Sequence, residues 1–203
     1  MKPKAKKNAY HHGDLRESLL AAAADIVCED GVDGLSLRKL AERVGVSRTA
    51  PYHHFKDKTE LLCAIAADGF AKLDNITRAT FLDEQSTKGA RYRQYIRDYI
   101  YFAANNPEIY DLMFGRTIWQ QAKVTETLKN TAFAAFQDQL TTVKQLQLEH
   151  VLPASEDSLR FAQVSWGTLH GIARLVIDGV YADTSHIDEM CECAANLFII
   201  KED

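Results

Sequence analysis

The chain has 203 residues, 46% of them hydrophobic and 26% charged, which is enough for one or two globular domains with a sizeable core. No apolar run approaches the roughly 20 residues needed to cross a bilayer, and no apolar segment follows the lysine-rich N-terminus as it would in a secretory signal. These features exclude a membrane-spanning class and predict a cytoplasmic protein.

The formal net charge of −4 excludes a uniformly basic nucleic-acid binder. The charge is uneven, however: residues 1–60 hold eleven Lys and Arg against nine Asp and Glu, and the remainder holds thirteen against nineteen. A mildly basic head on an acidic body is compatible with presenting one end to DNA. The lysines within residues 1–9 form either a solvated tail or an arm that contacts phosphates or the minor groove.

The first predicted helix covers residues 14–30, and Gly31 ends it. His11 and His12 precede the helix, but adjacent residues do not share a helix face and no third ligand is evident, so we predict no metal site. No cofactor is predicted either. The apolar residues at helical spacing form the buried face of this helix: Leu15, Leu19, Ala22, Ala23, Ile26 and Val27.

Residues 36–55, SLRKLAERVGVSRTAPYHHF, predict two short helices joined by a tight turn. Gly45 stands where a helix that ends in a left-handed residue favours glycine, and Ser47 is suited to cap the second helix. Pro51 and Phe55 share one face of that second helix and pack on the first. The apolar residues of the first helix recur at i, i+3, i+4 and i+7: Leu37, Leu40, Ala41 and Val44. The pattern is that of a helix-turn-helix.

The second helix is the candidate reader of DNA, because the N-terminal residues of a recognition helix lie at base edges in the major groove. Arg48, Thr49 and Ala50 occupy that end. Arginine to guanine is the commonest specific pairing, and an alanine can touch a thymine methyl group. Tyr52 and His53 are better suited to phosphates.

Asp57 and Glu60 form a D-x-x-E capping box that predicts the start of a further helix. Lys58 lies in its first turn, where backbone N–H groups and the helix dipole favour an anion. It is either a phosphate clamp or a solvent-exposed lysine. The candidate DNA-contacting residues are Ser36, Ser47, Arg48, Thr49, Ala50, Tyr52, His53 and Lys58.

The stretch GVSRTAPYHHFKDKTELL, with YHHGDLRESLLAAA upstream, resembles the signature of TetR-type transcriptional regulators over residues 10–71. One residue departs from the family pattern: Pro51 stands where most members carry leucine or isoleucine, and it removes one early helix hydrogen bond. The resemblance implies an all-α fold, with a three-helix DNA-binding domain at residues 10–71 and a helical regulatory and dimerisation domain at residues 72–203.

The body is predicted to be helical throughout, which gives about nine helices in total. A polar loop at residues 83–90 comes first, and Asn106 and Pro107 suit the cap and first position of a short helix. The further helices are predicted over residues 92–103, 107–114, 116–148 and 155–181, and from Ser185 onward.

The last two predicted helices carry more apolar surface than one chain of this size can cover. A second copy of the chain is the expected cover, and the resemblance implies the same, since TetR-type regulators dimerise through their last two helices. Two-fold symmetry then places two reading helices roughly 34–36 Å apart on a palindromic operator in double-stranded DNA. The predicted interface residues are Phe161, Val164, Leu169, Ile172, Ile187, Met190, Ala194, Leu197 and Phe198.

The segments SWGTLHG and NPEIYDLMFG are similar to the C-terminal subtype that is named for a Trp-His-Gly motif. Trp166 and His170 are neighbours on one helix face. They indicate either tight helix packing around a satisfied histidine or an inducer pocket. By resemblance, a small-molecule effector there shifts the helix after Pro107 and releases a repressor from DNA. The candidate ligand residues are Tyr110, Met113, Phe114, Trp119, Trp166 and His170.

Enzymatic activity is not predicted, because the motifs G-x-S-x-G, G-x-x-x-x-G-K-[ST], G-x-G-x-x-G and H-E-x-x-H do not occur. The alternatives are a helical ligand- or partner-binding protein that no longer binds DNA, and a transcriptional activator of the same family. The four cysteines form no C-x-x-C pair. Cys28 and Cys63 are expected to be buried as small hydrophobic residues.

Overall fold

A computed structural model describes residues 12–119, 124–181 and 186–200, and every regular element within these ranges is helical, as predicted. None of the helices in these ranges combines the length and apolar character that a membrane span requires. The N-terminal lysines, His11 and Ser185 lie outside the described residues. The elements are α1 (His12–Gly34), α2 (Leu37–Val44), a 3₁₀ helix (Ala50–His53), α3 (Lys58–Leu82), α4 (Lys88–Asn105), α5 (Pro107–Phe114), α6 (Arg116–Trp119), α7 (Glu126–Leu148), α8 (Ser158–Ile177) and α9 (Ile187–Phe198).

Local signals fix the first two helices as expected. Gly31, with φ 71° and ψ 178°, breaks the helical geometry of α1 near its end. Ser36 begins α2, because its side chain accepts a hydrogen bond from the Lys39 N–H at 3.1 Å. Gly45 ends α2 in the left-handed region, at φ 75°, and its N–H reaches the carbonyls of the last turn.

Helix α3 is the central element, with 25 residues and a length of about 37 Å. It packs against α1, α4, α5, α6 and α7. It comes close to α5 at Gly69, where an added Cβ would lie only 2.7 Å from Met113 Sδ. The predicted domain boundary between residues 71 and 72 lies inside this unbroken helix, so α3 belongs to both parts of the chain.

The outer helices of the body are arranged around α4. Helices α8 and α9 both pack on α4, and α8 also packs on α7. One continuous apolar core joins the head to the body and includes Leu19, Phe55, Phe70, Tyr99 and Leu169.

The predicted long helix over residues 116–148 is wrong. The chain forms α6 and then α7, and α7 begins where the Thr125 side chain accepts a hydrogen bond from the Leu128 N–H at 3.3 Å. Residues 120–123 lie outside the described ranges. A capping threonine within a helical hydrophobic pattern was the signal for this start.

The start of α8 and the cap of α5 also differ from the prediction. Helix α8 begins at Ser158 rather than at residue 155, because Asp157 accepts a hydrogen bond from the Arg160 N–H at 3.0 Å. Helix α5 starts at Pro107 as predicted, but the Asn106 amide does not cap it. That amide donates backward to the Phe102 carbonyl at 2.8 Å.

Candidate nucleic-acid interface

Residues 47–55, which we call the recognition segment, do not form the regular α-helix that was predicted. A 3₁₀ helix covers only Ala50–His53, with the Ala50 N–H donating to the Ser47 carbonyl at 3.0 Å. In an α-helix that carbonyl would accept from residue 51, and proline has no N–H to give. The tighter i→i+3 pattern therefore replaces the α-helical one, and the Tyr52 N–H likewise donates to the Thr49 carbonyl at 3.2 Å.

The predicted cap of this segment is also wrong. Ser47 Oγ lies 3.2 Å from Thr49 Oγ1, so the two hydroxyls pair with each other. Thr49 occupies the position before the 3₁₀ helix and makes no side-chain cap. Both hydroxyls are exposed, so they can break the hydrogen bond between them and bind another donor or acceptor instead.

One side of the recognition segment is anchored in the core, as predicted. Pro51 is buried and Phe55 is 1% exposed. The Arg16 guanidinium lies over the Phe55 ring, 5.3 Å from its centroid. The opposite side faces solvent: Tyr52 is 58% exposed, and Ser47, Arg48, Thr49 and His53 are exposed as well, whereas Ala50 is half-buried.

Arg48 is held only weakly. Its Nη2 lies 3.8 Å from a Glu42 oxygen, which Arg38 Nε approaches more closely, at 3.2 Å. The Arg48 side chain is 69% exposed. Exposed ion pairs of this kind contribute about 0–1 kcal/mol, so the guanidinium can leave Glu42 for a stronger acceptor at little cost. Sequence reasoning did not identify Glu42 as a partner.

Two further cations of the head, Lys39 and Arg43 of α2, form ion pairs with α1. Lys39 Nζ lies 2.5 Å from an Asp30 oxygen, and Arg43 forms a bidentate pair with Glu29. The hydrogen bond from Arg43 holds the pKa of the Glu29 carboxyl below its usual value, so this carboxylate is ionised. These pairs orient α2 on α1 and leave Arg48 as the loosely held arginine of the head.

Ser36 and Lys58 stand at the starts of α2 and α3. The Asp57 carboxylate accepts a hydrogen bond from the Glu60 N–H at 2.9 Å, which confirms the predicted cap, although Glu60 reaches back to the Lys56 N–H at 2.7 Å. Lys58 is half-buried in the first turn of α3, and Ser36 is exposed. Within the described ranges, no hydrogen bond or ion pair joins either residue to the recognition segment.

In the body, three of the six predicted ligand residues, Tyr110, Trp166 and His170, form a hydrogen-bonded aromatic cluster with Tyr99. Trp166 Nε1 donates to the Tyr99 hydroxyl at 2.8 Å, the Tyr99 and Tyr110 hydroxyls are 2.9 Å apart, and the Tyr110 hydroxyl lies 2.7 Å from His170 Nδ1. An indole N–H can only donate a hydrogen bond. Trp166 therefore donates to Tyr99, Tyr99 donates to Tyr110, and Tyr110 donates to His170, so that both hydroxyl hydrogens are paired. Burial, and then the Arg174 cation, lower the pKa of His170 and favour its neutral form.

The cluster is filled by its own side chains. Phe114 packs 4.7 Å from the His170 ring centroid and 6.1 Å from the Trp166 centroid. The adjoining cavity, beside Tyr99 and Trp166, measures about 30 Å³, which is room for little more than one water molecule. Met113 is buried, whereas Trp119 is 37% exposed and donates to the Met113 carbonyl at 2.6 Å. The ligand-binding role of these six residues stays a prediction.

The predicted dimer-interface residues fall into three groups according to their burial. Leu169, Ile187 and Ala194 are buried within the chain, because α4 packs against both α8 and α9, so they are not available to a second copy. Val164 is 63% and Leu197 is 73% exposed. The half-buried residues between these extremes are Phe161, Ile172, Met190 and Phe198.

The exposed face of α8 that carries Val164 also carries glycines, so little side-chain bulk projects from it. The Phe161 and Phe198 rings, 5.7 Å apart, join it to α9. Gly167 and Gly171 follow Val164 at three and seven residues, and an added Cβ at either glycine would meet nothing within 4 Å. These positions share one helix face, so another helix could approach it closely.

Cys28 is exposed rather than buried as predicted. Cys63 is buried as predicted. Cys28 directly follows Val27, the last residue of the apolar stripe of α1, and lies on the solvent side of the helix.

Comparison with known proteins defines the class. Residues 19–65 match the family model described as "Bacterial regulatory proteins, tetR family", and residues 92–197 match the model "Tetracyclin repressor-like, C-terminal domain". The second match alone covers more than half of the chain. The chain therefore belongs to the TetR family of DNA-binding transcriptional regulators. The Trp-His-Gly subtype stays a prediction.

The individual relatives agree on this class. The chain is 53% identical over 49 residues to the tetracycline repressor protein class A from transposon 1721 of Escherichia coli, covering 24% of this chain and 23% of that protein. It is 36% identical over 69 residues to the transcriptional repressor AcnR of Corynebacterium diphtheriae, covering 34% and 36%. These curated relatives are thus matched over only about a quarter to a third of their length.

A solved structure matches over nearly the whole chain. It is a Rhodococcus sp. RHA1 protein described as having unknown function, with a TM-score of 0.80 and 34% identity, covering 94% of this chain and 96% of that one. The helical arrangement described above is therefore found in an experimentally determined relative.

Proposed function

We propose that this regulator is a cytoplasmic repressor that binds a palindromic operator in double-stranded DNA as a homodimer and leaves it when a small-molecule effector binds the body. The observation that carries the proposal is the recognition segment. It is anchored on Pro51 and Phe55, and it presents Arg48 and its neighbours to solvent.

The exposed side chains divide by their chemistry. Arg48 reads a base, since a guanidinium can bind guanine O6 and N7 together, and Thr49 and Ala50 lie beside it at the groove floor. Tyr52 and His53 contact phosphates. The remaining three candidates act at the backbone as well. They are Ser36, Ser47 and Lys58, of which Lys58 adds a positive charge at the α3 N-terminus.

Dimerisation rests on the outward face of α8 and α9. Val164 and Leu197 are large apolar residues with little cover in the chain, and the two glycines of the α8 stripe leave room for a facing helix. Packing a second copy on this face buries both residues and pairs two heads about a two-fold axis. A palindromic operator follows from that symmetry.

Effector release uses α5 as the connection. This helix packs on α1 and α3 in the head and joins α8 through the ion pair between Asp111 and Arg174. Tyr110 on α5 also bonds His170 on α8. A ligand that opens this aromatic cluster displaces α5 and, through it, α1 and α3. Coupling of about 1–3 kcal/mol would reduce operator affinity roughly 5- to 150-fold.

The test is to select binding sites for the full-length protein from a random DNA pool and to compare them with the DNA that flanks its gene. The proposal expects a palindrome with half-sites about one helical turn apart and repression of a reporter placed behind it. Failure to enrich any sequence would contradict the proposal and favour a protein that no longer binds DNA. Increased reporter expression would identify an activator instead.

A further inference from the structure

A second hollow, lined by residues other than those of the aromatic cluster, lies in the body where α3, α4 and α7 meet. It measures about 320 Å³, against about 30 Å³ beside the cluster. Volumes of roughly 300–1,000 Å³ are typical of small-molecule sites. Phe81 lines it from α3, about 35 Å along the helix from Lys58. The described part of the chain therefore offers a ligand more room here than in the predicted inducer pocket.

The polar wall of the hollow already holds one carboxylate. Glu149 accepts hydrogen bonds from Lys88 Nζ at 2.7 Å and from Gln145 Nε2 at 2.6 Å. The Lys88 bond, the Gln145 bond and the field of Arg91 lower the pKa of Glu149. The contacts of Glu149 thus show that the groups on this wall stabilise a carboxylate.

One positive charge on this wall is not neutralised. The Arg91 guanidinium donates from Nη1 to the Phe81 carbonyl at 2.9 Å, and within the described ranges no carboxylate binds it. Asp83 lies in the field of Arg91, but its oxygens accept from Ser86 and Gln85, and it does not line the hollow. Lys88, Arg91 and Glu149 together carry a net charge of +1, which matches a monoanion.

The lining also has an apolar part, which Phe81 and Leu146 form. A neighbouring hollow of about 320 Å³ shares Phe81 and reaches Leu82 along α3, and its charged residue Arg78 is paired with Asp74 and Asp138. Leu82 is 78% exposed, a large apolar residue left at the mouth. An elongated apolar group would cover it.

We infer that this hollow binds a small monoanion with an apolar body, whose carboxylate lies beside Arg91 and Lys88 and whose chain runs along Phe81 toward Leu82. Binding there is independent of the proposed function. Its effect on DNA rests on that function, because α3 carries the hollow at one end and Lys58 at the other.

The test is calorimetric titration of the full-length protein with octanoate, using 1-octanol and inorganic phosphate as comparison ligands. Octanoate should bind, and both comparison ligands should bind at least tenfold more weakly, since one lacks the charge and the other the apolar body. Equal binding of octanol, or of phosphate, would overturn the inference.

Variants locate the site. Arg91→Gln should weaken octanoate binding about tenfold, because a charge-assisted hydrogen bond is lost. The control Lys144→Met also removes one cation, from the exposed side of α7, and should bind as the wild type does. Equal binding by Arg91→Gln and Lys144→Met would contradict the site.

A variant that should bind octanoate more tightly gives a sharper test, because its result does not depend on whether Arg91→Gln folds. Glu149→Gln removes the internal carboxylate, raises the net charge of the wall to +2, and should tighten octanoate binding severalfold. A loss of affinity in this variant would overturn the inference. If octanoate binds as described but leaves operator affinity unchanged, the site stands and only its coupling to DNA is excluded.

Discussion

The head and the body use polar side chains in opposite ways. In the head, the charged groups lie at the surface, and Arg48 shares Glu42 with Arg38 in contacts that solvent weakens. In the body, the Tyr99 and Tyr110 side chains are buried and their hydroxyls bond each other, and Trp166 donates to Tyr99. A side chain that must read DNA has to be free to leave its partner, whereas a buried hydroxyl must keep one.

This difference decides what mutation can reveal. Changes to exposed head residues should alter DNA binding and leave folding intact. Changes to the body cluster should alter stability first. In the proposed dimer, the face on α8 and α9 connects the two parts, because the two heads would bind DNA together only when the two bodies pair.

The largest effect is expected from Val164→Asp, which places a charge on the exposed stripe of α8. The variant should be monomeric and should lose roughly 10²- to 10⁴-fold in operator affinity, because the second head no longer binds as part of the same molecule. Sedimentation velocity and fluorescence anisotropy measure the two changes. Leu148→Asp, at a 77% exposed leucine on α7, is the control and should remain dimeric.

Arg48→Ala should reduce operator affinity by about 1–3 kcal/mol per head, through loss of the base contact. Its thermal stability should stay within about 0.5 kcal/mol of the wild type, as for surface substitutions generally. Anisotropy titrations with the selected operator and with a scrambled duplex separate lost specificity from lost charge. An equal loss on both duplexes would show that Arg48 contacts phosphate only.

Tyr110→Phe breaks the buried chain of hydrogen bonds and leaves His170 Nδ1 without its partner. Denaturant unfolding should show a loss of about 1–3 kcal/mol. Tyr52→Phe removes the same atom from a residue of the head that is 58% exposed, and should leave stability unchanged. If the two variants were equally stable, the contrast between head and body would not hold.

The smallest effect concerns pH. Because the pKa of His170 is lowered in the folded chain by burial and by Arg174, the unfolded chain takes up this proton first as pH falls. His170 thus contributes stability that is present above the ordinary histidine pKa of about 6.5 and is lost as pH falls below it. His170→Gln should show a shallower loss of stability between pH 7 and pH 5.

The head was predictable because its signals are local. Gly45 and Asp57 each act on backbone groups within four residues, and both were placed correctly from the sequence. Pro51 was recognised as removing one bond, but its consequence was larger: a 3₁₀ helix replaces the α-helix. The pairing of Arg48 with Glu42 crosses the turn and depends on its geometry, which a pattern does not contain.

The body was less predictable because its contacts join distant segments. Trp166 and His170 were found from their spacing on one helix, but Tyr99, which bonds Trp166 from α4, was missed. Leu169 was assigned to the dimer face because α8 looked apolar on all sides. The sequence did not show that α4 would cover part of that surface.

Amide hydrogen exchange of the full-length protein, with and without its selected operator, tests the central claim most directly. The account predicts slower exchange in the recognition segment and in the first turn of α3 when DNA is bound, in both copies of the dimer. Operator binding with unchanged exchange in those residues would contradict it.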